Sequence, residues 1–424
     1  MRDLNLEAYS KPRNVVVIGG GVSGITTAVE AAQSGAEVLL VESGHLLGGR
    51  LLMMHKYFPK LDSPTIGLGV HLRRIKNNPK ITELTNSEAV SVSGSKGHFT
   101  VEIQVRPNFV NQNCDGCNKC AEVCPVEVED KFNYSMQKTK AIFALPSESK
   151  QYVIDVGMCD GAKCGKCAEV CHVKAIDLQQ QATTISVKAE SVVVATGWEP
   201  YDATLIKNLG FGRVPDVISN VMMERLVAPD GPTGGKILRP SDSSEPKHIA
   251  FVQCAGSRDE EHLPYCSAIC CMVSLKQAMY IRDAHPNSKI SIIYTELTNP
   301  CPGRYDKFLA KVIDDGGIKY IKGSVDLISC LEGSCGANLT IKEHSGEILN
   351  LDADMVVLAT GVVPSILSNV LKDVMVLDKN GFLNPEVQKD GIYVTGMAKM
   401  PFDVTSSMLD AAGTAIRTTQ RIRQ

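Results

Sequence analysis

The sequence predicts an α/β chain of two Rossmann-like dinucleotide-binding units, the first of them broken by a cysteine-rich insertion. Three observations carry this. Residues 14–43 read as strand, glycine loop, helix, strand and acidic end. Two apolar strands closing on Ala-Thr-Gly, VVVATGWEP (192–200) and VVLATGVVP (356–364), bracket a second strand–helix–strand stretch. Eight of the fifteen cysteines fall in two near-copies between Cys114 and Cys171.

The chain has 424 residues, enough for two or three domains with large cores. Its net charge of −3 gives no basic footprint for nucleic acid. No apolar run approaches the ~18–20 residues that a membrane span requires. The first fourteen residues, MRDLNLEAYSKPRN, are polar and lack the apolar core of a signal peptide. So many thiols fit a reducing, anoxic cytoplasm.

In the first unit, Val15 to Ile18 form a buried strand. Gly19, Gly21 and Gly24 then fit G-x-G-x-x-G, which turns tightly and brings backbone N–H groups and a helix N-terminus to a pyrophosphate. The second strand runs from Glu37 to Val41 and ends at Glu42, with Ser43 beyond it. Glu42 lies 18 residues after Gly24, where its carboxylate accepts hydrogen bonds from the adenosine ribose. A Gly-Gly turn follows as Gly48, Gly49 and Arg50, a pattern of flavoproteins that bind two dinucleotides. Thr196-Gly197 and Thr360-Gly361 mark where the chain crosses back near the cofactor in that class. In GIYVTGMAKMP (391–401), Gly396 stands where a Gly-Asp pair normally meets the flavin, but Met397 replaces the Asp. A final helix, Thr405 to Ile416, aims its N-terminus at the flavin. FAD is the cofactor expected in this unit.

The insertion spaces its cysteines 114, 117, 120, 124 and then 159, 164, 167, 171. Three thiolates on a loop plus a fourth from a helix start wrap a 4Fe–4S cluster, and in two-cluster ferredoxins the fourth cysteine of each run serves the other cluster. Cys114, Cys117, Cys120 and Cys171 are thus expected on one cluster, and Cys159, Cys164, Cys167 and Cys124 on the second. Zinc also takes four cysteines, but the Cys-Pro after the first run and the doubled C-x2-C-x3-C favour iron–sulfur. The second run departs in a first gap of four residues and in His172 at the usual proline.

In the second unit, HIAFVQ (248–253) is the first strand, CMVSLKQAMYIRDA (271–284) the helix and KISIIYTE (289–296) the next strand. The loop between strand and helix is Cys254-Ala255-Gly256-Ser257, so the phosphate-binding glycines are gone. Cys254, Cys266, Cys270 and Cys271 stand there instead. Residue types alone allow a metal cluster, a redox disulfide or buried thiols. Strain between adjacent Cys270 and Cys271 makes a cluster the more economical. Cys301, Cys330 and Cys335 have no ligand-like company and read as buried or incidental thiols.

With VQCAGSRDE (252–260), YCSAICCMVSLKQA (265–278), the DGCNKCAEVCPVEV insertion and the GGGVSGI start, the chain resembles the A subunit of heterodisulfide reductase over almost its whole length. The resemblance implies a thioredoxin-reductase-like flavoprotein core, a ferredoxin-like insertion, FAD, and a third 4Fe–4S cluster on Cys254, Cys266, Cys270 and Cys271. Lys276 matches a family lysine near the flavin N5; as the bland alternative, it is a surface helix lysine. The sequence ends after the flavin-closing helix, similar to the short A subunit of the quinone-interacting oxidoreductase complex (Qmo) of sulfate reducers. The expected domains are 1–110 and 185–246 with 351–424 for FAD, 111–184 for the two-cluster insertion, and 247–350 for the degenerate second unit. The expected function is electron transfer between flavin, clusters and partner subunits, in anaerobic energy or sulfur metabolism. Those partners are a second flavoprotein or iron–sulfur subunits, a membrane cytochrome subunit that holds the chain at the inner face of the membrane, and a second copy. A bifurcating subunit, a stand-alone NAD(P)H-dependent reductase and a non-catalytic scaffold are the alternatives.

Overall fold

The structure is a computed structural model, and it describes residues 9–146, 151–331, 336–365 and 375–420. Cys335 and the first eight residues of the polar start lie outside them.

The first sheet grows from strand β1 (Arg13–Ile18), which is apolar and buried along nearly its whole length. A strand covered on both faces joins a parallel sheet. It pairs in parallel with β2 (Val38–Val41), which pairs with β3 (Ile81–Leu84). On its other side lies β10 (Thr183–Val194). This strand is long enough for two tasks. Its C-terminal half is parallel to β1 and to β20 (Ile392–Val394), and its N-terminal half is antiparallel to β5 (His98–Val105), which pairs with β4 (Ser87–Ser95). Alternation on β1 splits the core. Val15 and Val17 face helix α1 (Val22–Gln33), whereas Val16 and Ile18 face the β4–β5 side. Helix α2 (Pro64–Lys76) and the closing helix α8 (Val404–Thr419) complete the layer, with Thr27 of α1 donating to the Ala411 carbonyl.

The insertion leaves this sheet after β5 and rejoins it at β10. It holds two antiparallel ribbons, β6 (Glu127–Glu129) with β7 (Lys138–Lys140) and β8 (Ile142–Ala144) with β9 (Tyr152–Ile154). Its two short helices, α3 (Lys119–Glu122) and α4 (Lys166–Glu169), each follow a left-handed residue, Asn118 and Gly165. Val110, Cys120, Ile142, Tyr152, Ile154, Cys167 and Ala175 form its own core.

The second sheet has the order β12 (Val217–Ser219), β18 (Met355–Thr360), β13 (His248–Ala255), β14 (Lys289–Tyr294), β15 (Ile318–Cys330), β16 (Ala337–Glu343), β17 (Ile348–Ala353). Helices α5 (Asn220–Val227), α6 (Cys270–Ala284) and α7 (Asp306–Ile313) belong to this unit. Two expected boundaries are corrected. Segment 185–246 does not simply return to the first unit, because β12 and α5 pack in the second. Segment 351–424 begins there too, because β18 fills the slot between β12 and β13. The chain crosses between the units along β11 (Trp198–Pro200) and β19 (Val362–Pro364), which pair antiparallel.

Candidate functional site

A cavity of about 920 Å³ opens at the C-terminal ends of the first sheet. That is the large end of the range for ligand pockets, ~300–1,000 Å³, and the position is the crevice that α/β sheets offer to ligands. Gly19, Gly21, Glu42, Ser43, Gly49, Arg50, Thr196 and Gly197 all line it.

Gly19 has φ 109°, and a Cβ there would run into the Ala195 carbonyl. A side chain on Gly24 would strike the Gly19 carbonyl, so this glycine sets the close packing of helix on loop. Helix α1 starts at Gly21 with no side-chain cap and no acidic residue in its first turn. Its first N–H groups lack helical partners and its dipole is positive at this end, a ready seat for phosphate. The Gly48 N–H donates to the Gly20 carbonyl at 2.8 Å, docking the Gly-Gly turn on the glycine loop. The Glu42 carboxylate accepts from the N–H groups of Gly20 and Gly44, each at 2.6 Å, and so ties both loops to the end of β2. At the far side, Asp403 caps α8 by accepting from the Ser406 N–H at 2.8 Å, and Val404 and Thr405 line the cavity. Uncapped helix start, carboxylate at the ribose position and crevice volume together fit an extended dinucleotide.

Three expected cofactor contacts fall elsewhere. Gly396 abuts Ser23 rather than the cavity, and Met397 takes the lining position. Thr360 and Gly361 sit in the second unit: the Thr360 hydroxyl donates to Asn220 Oδ1 at 3.2 Å, and Gly361 packs on Ser257 and Ser267. The two Ala-Thr-Gly strands are alike locally, but β18 joins the other sheet.

Lys276 is also displaced. It is neither a surface residue nor part of the cavity lining. Its Nζ lies 2.9 Å from Glu224 and donates to the Lys56 carbonyl at 2.6 Å, fully buried. Burial pushes its pKa down, and Glu224 opposes this. Glu224 also accepts from the His55 N–H at 3.1 Å and from Gln277 at 2.7 Å. The pair therefore grips the segment whose next residues, Tyr57 and Phe58, line the cavity.

Residues from outside the first sheet complete the wall. Phe132, Phe143 and Leu145 come from the insertion, and Ile269 and Val273 from the second unit. Arg50 fastens the insertion by donating to Tyr134 Oη at 2.9 Å, to the Trp198 carbonyl at 3.1 Å and to Glu199. Arg225, 1% exposed, donates to Asn133 at 2.8 Å and stacks over Phe132. Sequence reasoning missed Arg225, Glu224 and Asp403; only Asp403, one residue ahead of the final helix, carried a local capping signal.

The insertion groups its thiols across the repeat. Cys124, Cys159, Cys164 and Cys167 line one small void of about 20 Å³. Cys114 and Cys120 interact electrostatically, and both act with Cys117 on Tyr152. Burial first, then neighbouring thiols, pushes Cys120 up to about 11. His172 stands 4.0 Å from Cys117 Sγ and 3.1 Å from Asp115. In the second unit Cys254 takes φ 57° at a bulge in β13, within electrostatic reach of Cys266, Cys270 and Cys271. Burial drives Cys270 far up and Cys271 to about 11, and both also feel Cys254 and Cys266. Three thiols that resist ionising, Cys254, Cys270 and Cys271, with Cys266 beside them, suit a cationic cluster, which removes that penalty by binding the thiolates. Cys301 is half-buried and Cys330 is exposed.

A family profile described as "FAD dependent oxidoreductase" matches residues 14–57. The chain is 36% identical over 417 residues to the second CoB–CoM heterodisulfide reductase iron–sulfur A subunit of Methanopyrus kandleri, covering 95% of this chain and 63% of that protein. It is 33% identical to the A subunit of the H(2):CoB-CoM heterodisulfide,ferredoxin reductase of Methanothermobacter thermautotrophicus, covering 98% and 65% respectively. Among solved structures, thioredoxin reductase from T. acidophilum superposes with a TM-score of 0.54 at 14% identity, covering 98% of this chain and all of that one. Thioredoxin reductase from Lactococcus lactis gives 0.52 at 11% identity, with 97% of this chain and 99% of that one covered. These structures share the fold of two Rossmann-like units.

Proposed function

Since this chain belongs, over the 95–99% of its length that aligns, to the family of heterodisulfide reductase A subunits, we propose that it is a FAD- and iron–sulfur-dependent electron-transfer subunit of a larger oxidoreductase complex. One observation carries the reading. Ile269, directly ahead of Cys270 and Cys271, lines the same cavity as the glycine loop, and Phe132 of the thiol-bearing insertion lines it too. The site of a two-electron cofactor thus borders both sets of one-electron ligands.

FAD, when bound, exchanges one or two electrons, and each 4Fe–4S cluster exchanges one. The uncapped N-terminus of α1 would hold the pyrophosphate, and the Glu42 carboxylate at the end of β2 would meet the ribose. Phe58, Phe132 and Val273, which line the cavity, would exclude water from the ring. The Lys276–Glu224 pair acts through the Lys56 carbonyl to fix the wall around residues 54–58. The thiol grouping, with Cys171 added from the spacing of the repeat, supports three clusters: on Cys114, Cys117, Cys120 and Cys171; on Cys124, Cys159, Cys164 and Cys167; and on Cys254, Cys266, Cys270 and Cys271.

The partners of this reading are the remaining subunits of such a complex, including iron–sulfur or flavoprotein subunits and a membrane cytochrome subunit for a quinone-linked form. Among the described residues no helix is long and apolar enough to cross a membrane. A cytoplasmic chain held at the inner face of the membrane by its partners fits the thiol content.

Anaerobically prepared protein should hold one FAD and about 12 irons, and C270A should hold about 8 with the flavin unchanged. Wild-type protein with about 8 irons would remove the third cluster from the account. Protein without flavin would end it.

A further inference from the structure

Two buried polar side chains beside the third thiol group lack partners. Gln253 is 7% exposed and Ser274 is fully buried, yet neither amide atom of Gln253 nor the hydroxyl of Ser274 has a hydrogen-bond partner. Leaving such a group unpaired in a core costs the full desolvation of that group, and native structures rarely tolerate it without water, an ion or a function.

Both positions face the same layer. Ile249 and Phe251 of β13 pack in one cluster with Met272 and Leu275 of α6, so alternation puts Gln253 on the α6 side of the strand. Cys254 follows at the bulge, where β13 loses register with β18 between Val252 and Ala255. On α6, Ser274 lies one turn after Cys270, on the same stripe. Side chains lean toward the helix N-terminus, which directs the Ser274 hydroxyl toward the Cys270 turn. Cys270 Sγ itself lies 3.5 Å from the Thr360 carbonyl, with which only a protonated thiol can bond. As a thiolate ligand, Cys270 loses that bond and needs donors instead.

We propose that Gln253 and Ser274 are hydrogen-bond donors to the sulfurs of a third 4Fe–4S cluster, the amide through Nε2 and the serine through Oγ. This rests on the third cluster of the proposed function. Hydrogen bonds to cluster sulfurs stabilise the reduced, more negative state and set its potential. The donors therefore make this cluster easier to reduce. Ile249, Phe251, Met272 and Leu275 around them are buried and apolar, which strengthens their effect.

The test is an anaerobic redox titration of the full-length protein, following each cluster by electron paramagnetic resonance and the flavin by absorbance. Q253L and S274A should each lower the midpoint potential of the Cys270-dependent signal, and the double variant should lower it further. S274T, which keeps the hydroxyl, should restore the wild-type value. The insertion signals and the flavin should not move. If the Cys270-dependent signal is present and neither Q253L nor S274A shifts it, the inference is wrong and the third cluster stands. If S274T shifts as far as S274A, packing rather than the hydroxyl is responsible, and the Ser274 assignment falls. If wild-type protein shows no signal that C270A removes, the inference falls together with the cluster it rests on.

Discussion

Arg50 illustrates how a residue serves two neighbours at once. It lies in the cavity wall and also holds Tyr134, Trp198 and Glu199. R50A should weaken flavin retention and loosen the insertion together, read as faster flavin loss on dilution and easier proteolysis between residues 106 and 182. R50K, a point charge without the planar fork, should recover only part of either effect. The Lys276–Glu224 pair makes a different point. Removing one partner of a buried pair strands a charge and costs ~3–5 kcal/mol, whereas replacing both is much milder. Thermal unfolding should thus rank K276M below K276M/E224L. His248 supplies the pH dependence. Burial, the largest influence, lowers its pKa, and its Nε2 lies 2.9 Å from Ser291. The native state favours the neutral ring, so its stabilisation is present above the ordinary value of 6.5 and is lost as pH falls through the lower native value. H248N should flatten the acid side of the stability–pH curve. Local chemistry of this kind was unevenly legible. The run Gly19 to Glu42 announces its role because loop, helix and carboxylate are close in sequence. Lys276 does not, because the group that captures it is Glu224, on another helix.

At the scale of elements, β13 and its following loop separate this chain from a pyridine-nucleotide reductase. The strand and the helix α6 are present, but the chain between them winds through Cys254, Cys266 and two left-handed residues, Arg258 and Ala268, before the helix begins at Cys270. No short glycine turn delivers a phosphate to its N-terminus. NADH or NADPH added to the isolated chain should leave the flavin absorbance unchanged over seconds to minutes. Rapid bleaching would mean that a nucleotide site exists elsewhere. The strands themselves were readable from apolar runs, yet their sheet was not. VVVATG and VVLATG are nearly one sequence, but β10 sits beside β1 while β18 sits beside β13. Only long-range pairing separates them, and local pattern carries no record of it. The insertion was the easiest element to read. Its candidate ligands stand out by their spacing within each run, and the repeat itself suggests the exchange of fourth cysteines.

Taken whole, the molecule is a flavoprotein core with its cavity walled on two sides by thiol-bearing elements. Ile269 and Val273 close one side, and Phe132, Phe143 and Leu145 the other. This closure follows from the topology. The insertion springs from between β5 and β10, next to the cavity mouth, and α6 begins where the second sheet faces the first. The chain spans 63–65% of the length of the two relatives described. The central claim is that one cavity and three thiol sites form a single conducting unit. It is tested most directly by reducing anaerobic holoprotein with a sub-stoichiometric photochemical pulse and following flavin and cluster absorbance together. The account predicts that both reach one common redox equilibrium in a concentration-independent step, and that C270A slows it. Flavin and clusters that equilibrate only as fast as separate molecules collide would contradict it.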